Sequence, residues 1–216
     1  MCKVCWTKTR DFPQKSERIT MQGEHTAVSA RERRPSQARE KLIRAFWRLY
    51  CTGPIDKITV REITALAGYS RATFYEYFSG VRDVLTHIED EFFDRINAMD
   101  QSPNEAPSYE QLTAHMSDIL SFAEEYQEYV AVLLSDRGDP SFSRRFKDML
   151  KPLIEANLPP QAPRYGRERD LVCEFYASAL TSTIAAWLAD PGGVSLERFI
   201  VFQMNYIFRG FSLTQT

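Results

Sequence analysis

Between Thr59 and Arg82 the sequence clusters hydroxyls and guanidinium groups at spacings that suit contacts with a polyanion. Ser70, Arg71, Thr73, Tyr75 and Tyr77 follow one another within a single short segment. Side chains of these types donate hydrogen bonds to phosphate oxygens and to the edges of bases. Basic residues flank the segment at Arg31, Arg33, Arg34, Arg39, Lys41, Arg44, Lys57, Arg61 and Arg82. Patterns for bond-making chemistry are missing. There is no phosphate-cradling Gly loop, no G-x-S-x-G and no H-E-x-x-H, and the three histidines stand apart at 25, 87 and 115. Cys2 and Cys5 form a C-x-x-C pair, yet no second Cys or His pair follows at zinc-finger spacing. The reading is therefore a binding protein with no metal and no cofactor, and not an enzyme.

Charge is distributed unevenly along the 216 residues, although the formal net charge is only −2. Residues 31–83 carry eleven Lys and Arg against six Asp and Glu, residues 1–30 carry five against three, and the remainder is left at −9. A basic N-terminal module joined to an acidic C-terminal one predicts that the first alone meets nucleic acid. No unbroken run of eighteen apolar residues occurs, and residues 1–20 lack the apolar stretch of a secretory signal. Cys51 and Cys173 sit within apolar helical pattern and read as reduced, buried small hydrophobes. A cytoplasmic location is expected.

The elements that must position the polar segment are helices. After a basic lead-in over residues 1–35, in which Met21 is an alternative start, Ser36 offers an N-cap. Leu42, Ile43, Phe46, Leu49 and Tyr50 then recur at helical spacing up to Gly53-Pro54. Thr59-Val60-Arg61-Glu62 is a capping box that opens a second helix, and Gly68 ends it in the left-handed conformation. Ser70 caps a third helix over 71–78. Two short helices joined by a tight Gly-containing turn make a helix-turn-helix, whose second helix enters the major groove. A longer helix through Val84, Leu85, Ile88, Phe92 and Ile96 follows. Further helices are predicted over 108–124, 126–135, 139–156, 167–189 and 195–210, and no strand pattern of convincing length is present. The fold expected is all-α with about nine helices. Residues 36–82 would form the helix-turn-helix domain and 83–216 a helical regulatory domain.

Residues 58–85, "ITVREITALAGYSRATFYEYFSGVRDVL", resemble the DNA-binding signature of the TetR family of transcriptional regulators. Ile63, Ala67, Gly68, Ser70, Thr73, Phe74, Tyr75, Phe78 and Leu85 match in register and without a gap. The resemblance implies that Thr59, Arg61, Ser70, Tyr75 and Tyr77 contact phosphates and that Arg71, Ala72 and Thr73 face base edges. It implies core roles for Phe74 and Phe78. Two positions depart from the family pattern. Val81 stands where a phosphate-gripping Lys is usual, leaving Arg82 as its substitute, and Tyr77 replaces the common His.

In the second half, bulky Phe175, Tyr176, Leu180, Ile184, Trp187 and Leu188 accompany small Ala179, Ser182, Ala185 and Ala186. Such a surface, with Leu196, Phe199, Ile200, Gln203 and Ile207 of the last helix, suits a symmetric four-helix interface. In the TetR family the last two helices do form a homodimer. The resemblance also implies a pocket for a small hydrophobic or amphipathic ligand, with Phe92, His115, Phe122, Tyr126, Tyr129, Phe175 and Trp187 as candidates. The expected function is a dimeric, ligand-released repressor on a pseudo-palindromic operator, with no membrane partner. The alternative is a co-regulator of the same fold that acts mainly through a protein partner and binds DNA weakly or not at all.

Overall fold

Local capping chemistry and apolar spacing generate nine α-helices among the residues described by the computed structural model, which are 30–99, 109–158 and 166–209. Cys2, Cys5, Met21 and the stretch "NLPPQAP" beyond Leu158 lie outside those residues. The helices are α1 (Ala30–Thr52), α2 (Val60–Ala67), α3 (Arg71–Tyr75), α4 (Val81–Asn97), α5 (Tyr109–Ala114), α6 (Met116–Leu133), α7 (Pro140–Ala156), α8 (Arg167–Ala189) and α9 (Leu196–Arg209). A single 3₁₀ turn, Ile55–Lys57, links α1 to α2. No strand occurs among the described residues. The fold is all-α, as the periodicity predicts.

The chain divides into two compact units, one reaching Arg95 and the other starting at Ile96. In the first, α1 lies against α2 and α3. Of the apolar residues the spacing picks out, Leu42, Ile43, Phe46, Tyr50, Val84, Leu85, Ile88 and Phe92 are buried, joined by Ile63, Phe74 and Phe78, whereas Leu49 and Ile96 are half-buried. In the second unit α7 and α8 form the most extensive helix pair, through Ile154, Cys173, Ala177 and Leu180. Asp139 caps α7 by accepting from the Ser141 N–H at 2.8 Å, and Pro140 occupies the first helical position, where a missing N–H costs nothing. Trp187 of α8 stacks on Phe199 of α9 at 4.9 Å. Gln203 of α9, itself buried, donates to the Thr183 hydroxyl at 2.6 Å. α8 is long and apolar enough by composition to cross a bilayer. Here it supplies the buried face that receives α7.

α3 ends at Tyr75 rather than at residue 78, and two boundaries differ more widely from the sequence expectation. α1 begins at Ala30 and runs through Pro35, so Arg31, Arg33 and Arg34 belong to its opening turns rather than to an irregular lead-in ending at Ser36. Proline near a helix start sacrifices one backbone hydrogen bond, which the rest of a 23-residue helix outweighs. The division expected at residue 125 lies instead at His115, and α6 continues unbroken through Tyr126 to Leu133. His115 Nδ1–H donates to the Gln111 carbonyl at 2.8 Å, tying the ring back onto the preceding turn. The backbone there leaves α geometry, at φ −103° and ψ 18°.

Candidate nucleic-acid interface

The polar segment is held on the first unit by two capped helices and one turn. At the start of α2 the capping box is complete. The Thr59 N–H donates to Glu62 Oε2 at 2.9 Å, the Thr59 hydroxyl donates to the same oxygen at 2.7 Å, and the Glu62 N–H donates back to Thr59 Oγ1 at 3.3 Å. The Thr59 hydroxyl and N–H bonds hold the Glu62 carboxyl below the usual carboxylate range. Gly68 then turns the chain with φ 75°, in the left-handed region. At the start of α3, Ser70 Oγ accepts from the Thr73 N–H at 3.1 Å and lies 3.0 Å from Thr73 Oγ1.

Burial sorts the side chains of α3 by direction. Phe74 and Phe78 are inside and meet at 5.6 Å between ring centroids, so they anchor the helix to its neighbours. Arg71, Ala72, Tyr75 and Glu76 face outward, with Tyr75 59 % exposed. Thr73 and Tyr77 are half-buried at the edges of that face. Backbone hydrogen bonds from the Glu76, Tyr77 and Phe78 N–H groups carry the helical turn past Tyr75, so the outward face extends to Glu76. Glu76 is neither a donor nor a cation, so its residue type alone does not mark it as a DNA-facing group. Its position four residues after Ala72, on the same line of the helix, is what marks it.

The predicted phosphate-contacting groups fall into two sets. Arg61, Arg71 and Tyr75 present exposed side chains. The Thr59 hydroxyl hydrogen is already used within the capping box, and the Ser70 hydroxyl is shared with Thr73. Arg82, also exposed, donates to Asp56 Oδ1 at 2.8 Å, which ties the start of α4 to the 3₁₀ turn before α2. Val81 is half-buried. Among the flanking cations, Arg39 turns to the ring of His87 on α4, with Nδ1 at 3.1 Å, and Arg44 pairs with Glu40 at 3.2 Å. Lys41 lies over the Tyr69 ring at 5.8 Å. Burial, and then the Arg39 charge, push the His87 imidazole below its ordinary range.

Residues 42–88 match the family of bacterial regulatory proteins known as the tetR family, and residues 110–207 match a transcriptional regulator C-terminal region of TetR type. The chain belongs to the TetR family of transcriptional regulators. Its fold is similar to the crystal structure of a TetR transcriptional regulator from Streptococcus agalactiae 2603V, with a TM-score of 0.58 and 23 % identity. That likeness covers 83 % of this chain and 98 % of the other. No curated protein matches the sequence significantly.

The residues expected to line a ligand pocket in this TetR-family chain are spread over different environments. Tyr126 and Tyr129 are buried on α6, where Phe122 stacks on Tyr126 at 4.6 Å. Phe92 is buried within the first unit. His115 is exposed and bonded to Gln111 of α5, and Phe175 is 59 % exposed. Trp187 Nε1–H donates to the Val194 carbonyl at 3.0 Å. A surface cavity of about 530 Å³ opens where α6 ends beside α7 and α8, and none of these seven residues lines it. Its wall mixes Leu133, Leu134 and Pro140 with Asp139, Arg144, Lys147, Lys151 and Glu174, and its lysines are engaged: Lys147 with Glu174 at 3.0 Å and Lys151 with Asp148 at 2.8 Å.

Proposed function

We propose that the protein is a homodimeric, sequence-specific DNA-binding regulator of the cytoplasm, acting as a repressor released from a pseudo-palindromic operator by a small amphipathic ligand. The observation that carries this reading is the outward face of α3, which holds Arg71, Ala72 and Tyr75 clear of the protein while Phe74 and Phe78 fix the helix from behind. A short helix fixed in this way is what major-groove reading needs. In this reading Arg71, Ala72 and Thr73 face base edges. Thr59, Arg61, Ser70, Tyr75, Tyr77 and Arg82 lie along the phosphates. The DNA-binding part in this reading is the first compact unit, from α1 into α4 as far as Arg95, and the regulatory part is the second, from Ile96.

One recognition helix reads few base pairs, so a two-fold dimer is needed to double the readout. The partly exposed Leu171 and Phe175 on α8, and Val201 and Phe202 on α9, support pairing through these helices. Release by ligand requires different affinities for the DNA-competent and DNA-incompetent states. The aromatic row Phe122, Tyr126 and Tyr129 on α6 supports a ligand with an apolar body.

A second reading, a co-regulator acting through a protein partner, is favoured by one feature. An apolar Val81 stands at the usual Lys position and the neighbouring Arg82 is already paired with Asp56. Titration of the full chain against the DNA flanking its own gene separates the two. A regulator of this kind binds with an affinity that falls steeply with salt, because cations displace condensed counterions from phosphates. Binding that is absent or insensitive to salt selects the co-regulator.

A further inference from the structure

The outward face of α3 contains a group that the DNA-binding reading does not explain. Glu76 is exposed and keeps right-handed helical geometry, at φ −69° and ψ −26°. It follows Ala72 by four residues, so the Ala72 methyl and the Glu76 carboxylate form one row, beside a second row of Arg71 and Tyr75. Among the described residues no hydrogen bond or ion pair ties the Glu76 carboxylate down. Neither local folding nor phosphate affinity favours a carboxylate here. Glu76 is the C-terminal cap of α3, where helix carbonyls disfavour negative charge, and any phosphate nearby repels it. Buried beneath the row, Phe74 and Phe78 leave α3 little freedom to turn this side chain elsewhere.

We infer that Glu76 is a specificity-determining residue, whose carboxylate accepts a hydrogen bond from the exocyclic amino group of a cytosine in the major groove. This rests on the DNA-binding reading above. A carboxylate only accepts, and the major groove offers it two donors: cytosine N4 and adenine N6. On adenine the N6 donor adjoins the N7 acceptor, which repels the second carboxylate oxygen, whereas cytosine has no neighbouring acceptor on its own edge. Guanine and thymine present acceptors to the groove and are rejected. The Ala72 methyl, one turn earlier in the same row, suits a thymine C5-methyl beside that cytosine. Charge repulsion from the backbone then serves discrimination, because the carboxylate is tolerated only where an amino group meets it.

Selection from randomised DNA with the full-length wild type, Glu76→Ala and Glu76→Gln tests this. Wild type should enrich a cytosine at one position of each half-site, and E76A should lose that preference by about tenfold while the other positions hold. E76Q, with a carboxamide that both donates and accepts, should move the preference at that position toward adenine. Identical base profiles for wild type and E76A would overturn the assignment. So would an E76A that tightens binding on every sequence equally, because Glu76 would then only repel phosphates. A wild type that selects no DNA removes the DNA-binding reading together with this one. A wild type that selects an operator with no Glu76-dependent position removes this one alone. Unchanged circular dichroism of both variants ties the result to recognition, not folding.

Discussion

Arg82 and Asp56 meet at 2.8 Å with side chains that are 68 % and 80 % exposed. An ion pair so open to water contributes about 0–1 kcal/mol, little enough for a DNA phosphate to displace it. In the proposed DNA-binding reading, Asp56 competes with DNA for Arg82, the cation proposed to stand in for the lysine usual at position 81. Asp56→Asn should tighten DNA binding by up to about fivefold, the exposed pair's worth expressed as affinity. Arg82→Ala should weaken binding and flatten the dependence of log affinity on log salt by about 0.9, one phosphate contact. The double variant separates the Arg82 route from simple loss of a negative charge. If Asp56→Asn still tightens binding without Arg82, the two residues act independently. Fluorescence anisotropy across a salt series reads all three.

Helices and turns show which parts of this arrangement are legible from sequence. The Thr59–Glu62 box, the Ser70 cap and the Gly68 turn are each set within a few residues, so the types at those positions announce them. The core roles of Phe74 and Phe78 come from the family resemblance, and both are buried. The Arg82–Asp56 pair spans 26 residues and the Arg39–His87 pair spans 48, and no local pattern encodes either. Arg39 thus reads as one more DNA-facing cation in the sequence, whereas its guanidinium is committed to His87. The break at His115 carries no Gly or Pro, and only the ring's bond to the Gln111 carbonyl marks it.

The same elements carry two tests of stability. Gly68→Ala meets no steric neighbour, yet it forces a side chain into φ 75° and should cost about 1–2 kcal/mol in a denaturant melt. The His87 ring bridges α1 and α4, contacts the Phe78 ring at 6.0 Å, and lies 3.6 Å from the Glu91 carboxylate. Asp83, Asp90 and Asp94 act on it in the opposite sense to Arg39 and burial. Because its folded pKa lies below the unfolded 6.5, the unfolded chain binds more protons as pH falls through that range. The stability from neutral His87 is complete above about pH 6.5 and is lost as pH falls through the lower folded pKa. Melting temperature should therefore decline on acidification from pH 7.5 to 5.5. His87→Gln, which retains an acceptor for Arg39, should remove that part of the decline. An equal decline in the variant would place the titrating group elsewhere.

At the scale of the whole molecule, the proposed dimer needs an apolar surface that the single chain leaves in water. On α8 Leu171 and Phe175 are 52 % and 59 % exposed and stand one helical turn apart; on α9 Val201 and Phe202 are 39 % and 46 % exposed. Fully burying a phenylalanine contributes about 1.5–3 kcal/mol, so a half-exposed ring adds roughly 1 kcal/mol on association. A two-fold axis uses every such residue twice. Replacing Phe175 or Phe202 by Glu removes that gain in both copies and sets carboxylates against the partner's apolar face. Sedimentation should show Phe175→Glu and Phe202→Glu as monomers that keep their helical circular dichroism. Their operator affinity should fall by about 10²-fold or more, because the second recognition helix no longer binds as part of one body. Their residual binding to a single half-site should stay near the wild-type protomer's, because α3 lies in the other compact unit. Variants that remain dimeric with undiminished operator affinity would move the interface away from α8 and α9. Monomers that bind the operator as tightly as wild type would detach DNA reading from dimerisation altogether.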